Sequence, residues 1–515
     1  MISRLLLVAA LQLTLVSRII AQPTITLSKT IGTAGSESIR DLIVDDDDHL
    51  IALGICDSID RDSSCGYHGG GVDIWLVKMD ANGTILWQKC YGGSKDDFAY
   101  QIIQTDDSGF LFSGWTYSHD GDVTVNDGSF ITWLVKLDST GSIQWQQGLA
   151  EGQPYHLMQL KNKKYLIACY TLNTSIDFPV HYGGGFTEDA WIWILTNAGE
   201  KDTSFHYGGS DDDVITEVIE LQDGDWQMFG YTESDDHDLE GTTAYGNWDG
   251  WILRTDSNGV IKFQNRLGDG SPNVIIGAVS LTDSGFLCAG GTNFTDVWVI
   301  RLDSATNKIE DYAYGGSGTD AMLDRLRVHS AVSGKYVIGA VTSSNDGDVG
   351  INYGFTDFWF LTVDSNAILV NSKVGGGSKD DFPYSNILIN SNTVVQAGWT
   401  SSNDFDINDY HGAGDGWFIK VGNFTLAGEI TDAKKQISVF PNPFHDQFTI
   451  SSDNGECLKR ATIEIYDTKG TLLLTEKIHA SVEQISVKGL LQGTYIFVIR
   501  DKAKNLIASG KLVVQ

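Results

Sequence analysis

Apolar and polar residues alternate along most of this chain in short runs, and each run is closed by a cluster of Gly, Asp, Asn and Ser. Between Tyr91 and Leu149 four runs read as strands: Ala99–Gln104, Phe110–Thr116, Thr132–Leu137 and Ser142–Gln147. Period-two alternation bounded by turn residues is the pattern of a half-buried strand. The intervening Thr105-Asp-Asp-Ser-Gly109 and Asp138-Ser-Thr-Gly141 have tight-turn chemistry, as do Asn82-Gly83 and Asn258-Gly259 in other copies.

The unit recurs. A Trp opens an apolar strand at Trp75, Trp133, Trp191, Trp251, Trp298, Trp359 and Trp417, with gaps of 58, 58, 60, 47, 61 and 58. Four strands per repeat and seven repeats predict an all-β chain built around a seven-bladed β-propeller. The last copy stops after its third strand at Trp417–Val421, while Thr24–Gly32 matches a fourth strand and its turn. The N-terminal strand is therefore expected to complete the last blade and close the ring, leaving no sheet edge.

Two acidic patterns ride on the repeat. Asp precedes the anchor Trp by two positions at Asp73, Asp189, Asp249, Asp296, Asp357 and Asp415, with Ile131 in the remaining copy. A carboxylate that accepts turn N–H groups explains this row without a ligand. The second pattern is a D-x-D pair between strands two and three: Asp60/Asp62, Asp120/Asp122, Asp236/Asp238, Asp346/Asp348 and Asp404/Asp406, with a half copy at Asp177. These loops leave the same face as the connections Gly92-Gly-Ser-Lys-Asp-Asp97, Gly208-Gly-Ser-Asp-Asp-Asp213 and Gly376-Gly-Ser-Lys-Asp-Asp381. Ten carboxylates in Gly-containing loops are candidate calcium ligands, although no D-x-D-x-D-G run with a distal Glu occurs. Asp bonding its own turn is the other reading, and both stay open. The fifth copy lacks the loop: Gly290 to Trp298 spans 8 positions where Gly114 to Trp133 spans 19. A gap in a ring of loops is a place where a ligand or partner can enter.

Charge and composition narrow the partners. The chain has 35 Lys+Arg against 67 Asp+Glu, a net charge of -32. Such a surface repels nucleic acid and anionic lipid and favours cations, basic proteins or neutral glycans. The opening MISRLLLVAALQLTLVSRIIAQ reads as a signal peptide over 1–21, and no other apolar stretch is long enough for a transmembrane span. Of six cysteines, Cys56 and Cys65 bracket one loop and are the candidate disulfide, while Cys169 and Cys288 fall in strand patterns as core residues. HExxH, GxSxG, Walker and dinucleotide glycine motifs are missing, and His119, His237 and His411 are scattered in loops, so no catalytic residue is assigned.

Beyond about residue 430 the charge changes sign: 431–515 is net +2, leaving -36 for 22–430. The expected organisation is a signal peptide (1–21), a propeller (22–426), a linker (427–435) and a small Ig-like β-sandwich (436–515). In the last segment Val439-Phe-Pro-Asn-Pro443, Gly489-Leu-Leu-Gln-Gly-Thr-Tyr495 and Lys511-Leu-Val-Val-Gln515 follow one another. This segment resembles the type A C-terminal sorting domain of the type IX secretion system, departing from it in the final Gln515. The resemblance implies a Gram-negative bacterium, engagement with the type IX machinery, and export through the periplasm and outer membrane to the cell surface or medium. The expectation for the whole is a monomeric binding or adhesion protein whose acidic face meets a glycan, protein or cation. A polysaccharide-active enzyme and a structural surface element are the alternatives.

Overall fold

A computed structural model of the chain describes residues 23–514 except 58–64, 70, 185–186, 323–325, 332–333, 391, 423–436, 441–446, 453–460, 467–471, 479–481, 489 and 501–505. The expected signal segment and linker lie outside the described residues, as do Asp60 and Asp62. The chain divides into two compact units, with the division between Phe424 and Thr425.

The first unit is a propeller of seven antiparallel sheets. Blade 1 comprises Glu37–Val44, Leu50–Cys56, Asp73–Met79 and Ile85–Tyr91. Blade 2 is Asp97–Gln104, Phe110–Thr116, Ile131–Leu137 and Ile143–Ala150; blade 3 is Gly152–Gln159, Tyr165–Thr171, Asp189–Leu195 and Lys201–Tyr207. Blade 4 is Asp213–Glu220, Trp226–Thr232, Asp249–Thr255 and Ile261–Leu267; blade 5 is Asn273–Ser280, Phe286–Thr292, Asp296–Leu302 and Lys308–Tyr314. Blade 6 has a split first strand, Asp320–Ala321 and Val328–Ser330, before Lys335–Thr342, Asp357–Asp364 and Leu369–Gly375. Blade 7 is Asp381–Asn390, Thr393–Thr400 and Asp415–Gly422, completed by Thr24–Ile31, which pairs antiparallel from Thr24↔Gly422 to Ile31↔Gly416. The first strands touch in succession around the ring, and that of blade 7 returns to that of blade 1. They are therefore innermost, and the closure expected from the sequence is formed.

The core lies between blades. Ile51, Leu53 and Leu76 of blade 1 share one buried cluster with Phe110, Phe112 and Trp133 of blade 2, and equivalent clusters recur around the ring. The anchor Trp residues fill these layers: Trp133, Trp359 and Trp417 are fully buried. Except at Trp191, the anchor indole N–H groups find partners on the neighbouring strand, Trp133 on Gln146 at 2.9 Å and Trp359 on Ser372 at 2.7 Å among them. Pairing the polar edge lets so large a side chain be buried without an orphaned donor.

The second unit holds a three-stranded sheet (Ile437–Phe440, Gln447–Ser452, Val482–Ser486) and a four-stranded sheet (Leu472–Lys477, Thr462–Tyr466, Gly493–Arg500, Leu506–Val514). Phe448, Ile450 and Ile485 from the first share a core with Ile463, Ile465, Phe497 and Leu512 from the second. Two sheets around one apolar layer make the expected β-sandwich.

The disulfide differs from the expectation. Cys65 bonds Cys90, not Cys56. Cys56 closes the second strand of blade 1, where it pairs with Asp73, whereas the Cys90 N–H of the fourth strand donates to the Cys65 carbonyl at 2.9 Å. That backbone bond lays the Cys65 segment against the outer strand, and loop proximity in sequence was the wrong guide. Cys56 stays a buried thiol with its Sγ 3.5 Å from Cys90 Sγ. Non-reducing peptide mapping should recover a Cys65–Cys90 link, and Cys65→Ser should cost about 3 kcal/mol. Recovery of Cys56–Cys65 would contradict this register.

Candidate functional site

Six of the seven seams between blades are stitched by the same backbone bond, while at the seam of blades 2 and 3 the Glu151 N–H donates to the Phe130 carbonyl at 3.3 Å. The N–H opening a first strand donates to the carbonyl just before the D-x-W Asp of the previous blade: Asp97 to Val72 (2.7 Å), Asp213 to Glu188 (2.6 Å), Asn273 to Trp248 (2.7 Å), Asp320 to Thr295 (2.7 Å), Asp381 to Thr356 (2.7 Å) and Glu37 to Gly414 (2.9 Å). This brings two side chains of the repeat to one seam, most often two acids: Asp73 with Asp97, Asp189 with Asp213, Asp296 with Asp320, Asp357 with Asp381, and Asp415 with Glu37. All but Asp296 are buried.

The two acids have different surroundings. One oxygen of the D-x-W Asp accepts a loop N–H, as in Tyr182 to Asp189 (2.8 Å), Tyr353 to Asp357 (2.6 Å) and His411 to Asp415 (2.8 Å). This is the turn-binding role expected of the row. The Oδ1 atoms of Asp73, Asp189, Asp249, Asp357 and Asp415 are buried without a hydrogen-bond partner. The first-strand acid is surrounded by donors: Asp213 accepts from Gly209 N (2.6 Å), Ser234 Oγ (2.7 Å) and Thr232 Oγ1. Burial raises Asp97 to about 6 and Asp213 to about 7, and Asp73, Asp296, Asp415 and Glu37 are raised for the same first reason. Asp357 and Asp381 are both pushed up by burial; at Asp357 the carboxyl of Asp381 adds to it. At this seam the two carboxyls also hydrogen-bond each other, which places a proton between them and gives the bare Asp357 oxygen a donor. Two seams show the same rule by substitution. At Asp249 the Arg266 guanidinium donates from Nε at 3.0 Å, and the first-strand residue is the neutral amide Asn273. At the seam of blades 2 and 3 the residues are Ile131 and Gly152.

Four of the five D-x-D pairs are described, and they clamp the inter-blade turns. The first carboxylate accepts the Ser N–H of the Gly-Gly-Ser turn: Asp120 from Ser94 (2.7 Å), Asp236 from Ser210 (2.8 Å), Asp346 from Ser317 (2.7 Å) and Asp404 from Ser378 (2.7 Å). The second carboxylate accepts the N–H of the first Gly at Asp238 (3.2 Å), Asp348 (3.4 Å) and Asp406 (3.3 Å), while Asp122 faces His68 Nε2 at 3.4 Å. Close approach is why the turn begins Gly-Gly: a Cβ on Gly209 would stand 2.5 Å from Asp236 Oδ1. The bond from Ser210 holds the Asp236 carboxyl below its usual range, and Ser94 does the same for Asp120. Among the described residues, the groups placing three donor atoms within 4.8 Å of one another are Cys56/Cys65/Cys90 and Asp45/Asp47/His49, and neither contains a D-x-D residue.

The same face carries aromatic rings, on the first and second strands and in the loops that join second strands to third. Phe98 stacks on Trp115 at 4.1 Å, and Trp115 meets Tyr117 and Phe130 at 5.8 and 5.6 Å. In blade 4, Tyr231 stacks on Trp248 at 5.0 Å. Blade 5 has the shortened connection: Asn293-Phe-Thr295 replaces the long loop, with Asn293 at φ 52° and Phe294 at φ 57°. The Phe294 ring is 56% exposed and stands at 78° to Trp248, 5.3 Å away. These rings were missed in the sequence reading. Their signal was variation at one repeat position: the residue before the D-x-W Asp is Val72, Phe130, Glu188, Trp248, Thr295, Thr356 and Gly414.

Residues 438–515 match the family described as the secretion system C-terminal sorting domain. The second unit is a type IX sorting domain. Proteins that carry it are exported to the cell surface or extracellular space. None of the curated proteins matches the chain. Among solved structures, the chain is similar to BBS1N in complex with ARL6DN (10% identity, 80% of this chain and 99% of that one, TM-score 0.43) and to a Dyadobacter fermentans protein of unknown function (10%, 78% and 98%, TM-score 0.40). It is also similar to PorZ, an essential surface component of the type IX secretion system of Porphyromonas gingivalis (10%, 93% and 81%, TM-score 0.23).

Seam acids with raised folded-state pKa values bind protons more tightly folded than unfolded. Their stabilisation is complete below the ordinary carboxylate range and is lost as pH rises through about 6 at Asp97 and about 7 at Asp213. Thermal melts should therefore show stability falling from about pH 5 to pH 8.5, by about 1.4 kcal/mol for each tenfold displacement of a proton equilibrium. Asp213→Asn should flatten that slope and be the more stable form at pH 8.5; a slope unchanged in this variant would count against Asp213 as its source. For the clamps, Asp236→Ala should lower the melting temperature and Asp236→Asn should stay near the parent, with millimolar calcium moving neither. Calcium stabilisation abolished by Asp236→Asn would assign the loops to the metal instead.

Proposed function

We propose that this exported protein is a binding protein whose propeller takes its partner on the loop face, at the break in blade 5. The observation that carries the reading is Phe294. A bulky residue in the left-handed region costs about 1–2 kcal/mol, and glycine there would not. An exposed ring kept at that cost on a hairpin tip is better explained by contact with a partner than by the fold. The shortened loop supports the reading because it leaves the Phe294 ring on a short hairpin beside Trp248, where most other blades carry a long acidic loop.

The rest of the chain fits this role. The repeated acids hold the rim together through N–H groups, which leaves variable positions free to carry recognition. Residues 1–21 direct the chain across the inner membrane of a Gram-negative cell, and 438–515 take it across the outer membrane to the surface or the medium.

Phe294→Gly separates the two accounts of the hairpin. It should leave the melting temperature equal or higher, by about 1 kcal/mol, and should abolish binding found on a panel of soluble oligosaccharides and synthetic basic, acidic and neutral peptides. If no probe distinguishes the parent from Phe294→Gly, the break in blade 5 is only a shorter turn.

A further inference from the structure

Resting on the reading of blade 5 as the binding site, we infer that the corner of Trp248, Phe294 and Glu233 takes a lysine or arginine side chain from a basic segment of a partner protein. Two ring planes at 78° with centroids 5.3 Å apart present aromatic surface from two directions. A cation is drawn to such faces by the ring quadrupole, most strongly to Trp. The corner is preorganised. Trp248 is stacked on Tyr231, whose hydroxyl donates to Glu188 at 3.2 Å, and the Trp248 indole N–H donates to Glu233.

Charge complementarity picks the occupant. Glu233 follows the second strand of blade 4, its N–H donating at 2.8 Å to the carbonyl of Asp212 on the blade 3–4 turn. Burial and then the negative charges of Asp212 and Asp211 raise its carboxyl above the usual range. An arriving ammonium or guanidinium relieves that repulsion, and the -36 of residues 22–430 steers it inward. The chain already uses this chemistry at the seam of blades 7 and 1, where the Arg40 guanidinium lies 4.2 Å from the Tyr384 ring centroid. Openness favours a macromolecule. Cavities of about 220 and 440 Å³ lie elsewhere, one lined by Lys29, Glu37 and Trp75 and the other by the opposite-face turns around Asp223 and Ser284. At blade 5 the rings stand on an open surface, which suits a side chain projecting from a partner better than an enclosed small molecule.

The test titrates the mature full-length protein with a lysine-rich peptide, its arginine counterpart, a neutral Gly-Ser peptide and a neutral oligosaccharide. Phe294→Ala and Glu233→Gln serve as site variants, with melting curves as the folding control and Phe294→Gly as a second hairpin variant. Basic peptides should bind in preference to the neutral probes, and each site variant should weaken them about fivefold to tenfold. Basic-peptide binding that both variants leave unchanged overturns the inference, since diffuse charge then explains it. If a neutral oligosaccharide binds and only its binding is lost in Phe294→Ala, the blade 5 site stands and the cation assignment falls. If no probe responds to Phe294, both fall.

Discussion

Everything on the loop face depends on one backbone bond made at six of the seven seams, from the N–H that opens a blade to the carbonyl before the D-x-W Asp of the previous blade. At 2.6 to 2.9 Å these bonds fix the distance between blades and force the two seam side chains together. Five seams therefore set two acids side by side, both of them buried in four, which two unprotonated carboxylates would oppose. Donors from Thr, Ser and Gly surround one acid, a turn N–H and in some seams a His hold the other, and at Asp357 and Asp381 a proton between the two carboxyls fills the remaining demand. The Arg266/Asn273 seam shows the alternative: with a guanidinium present, a neutral amide stands in the place of the second acid.

Much of this was legible in the sequence because a propeller is written as repetition. The spacing of the anchor Trp residues counted the blades, and the match of Thr24–Gly32 to an outer strand foretold closure. Pairings between blades were harder. Asp213 is adjacent to Asp189 only once the register across the seam is known, and Cys65 reaches Cys90 only because a backbone bond lays its loop on the fourth strand. The D-x-D pairs were visible as a motif, yet their partners, the Ser and Gly N–H groups of the preceding turn, lie on another segment and emerge only in three dimensions. Phe294 was harder still, since a short hairpin reads as a deletion until its dihedral angles and exposed ring are seen.

The acidity of the chain thus has two parts. Carboxylates that recur in nearly every blade are committed to N–H groups or to one another, and they build the rim. Carboxylates that do not recur, Glu233 and Glu188 among them, hold the polar edges of aromatic rings beside the shortened blade 5 hairpin. A sorting domain explains how such a protein reaches the outside of the cell, and the irregular blade explains what it presents there. Scaffold and recognition occupy different positions of the same repeat.

The most direct measurement is hydrogen exchange read by mass spectrometry on the full-length protein, with and without a saturating lysine-rich peptide. Protection confined to segments containing Tyr231–Trp248 and Asn293–Thr295 is the predicted result. Protection spread evenly over all the inter-blade turns, or absent from blade 5, would contradict the account.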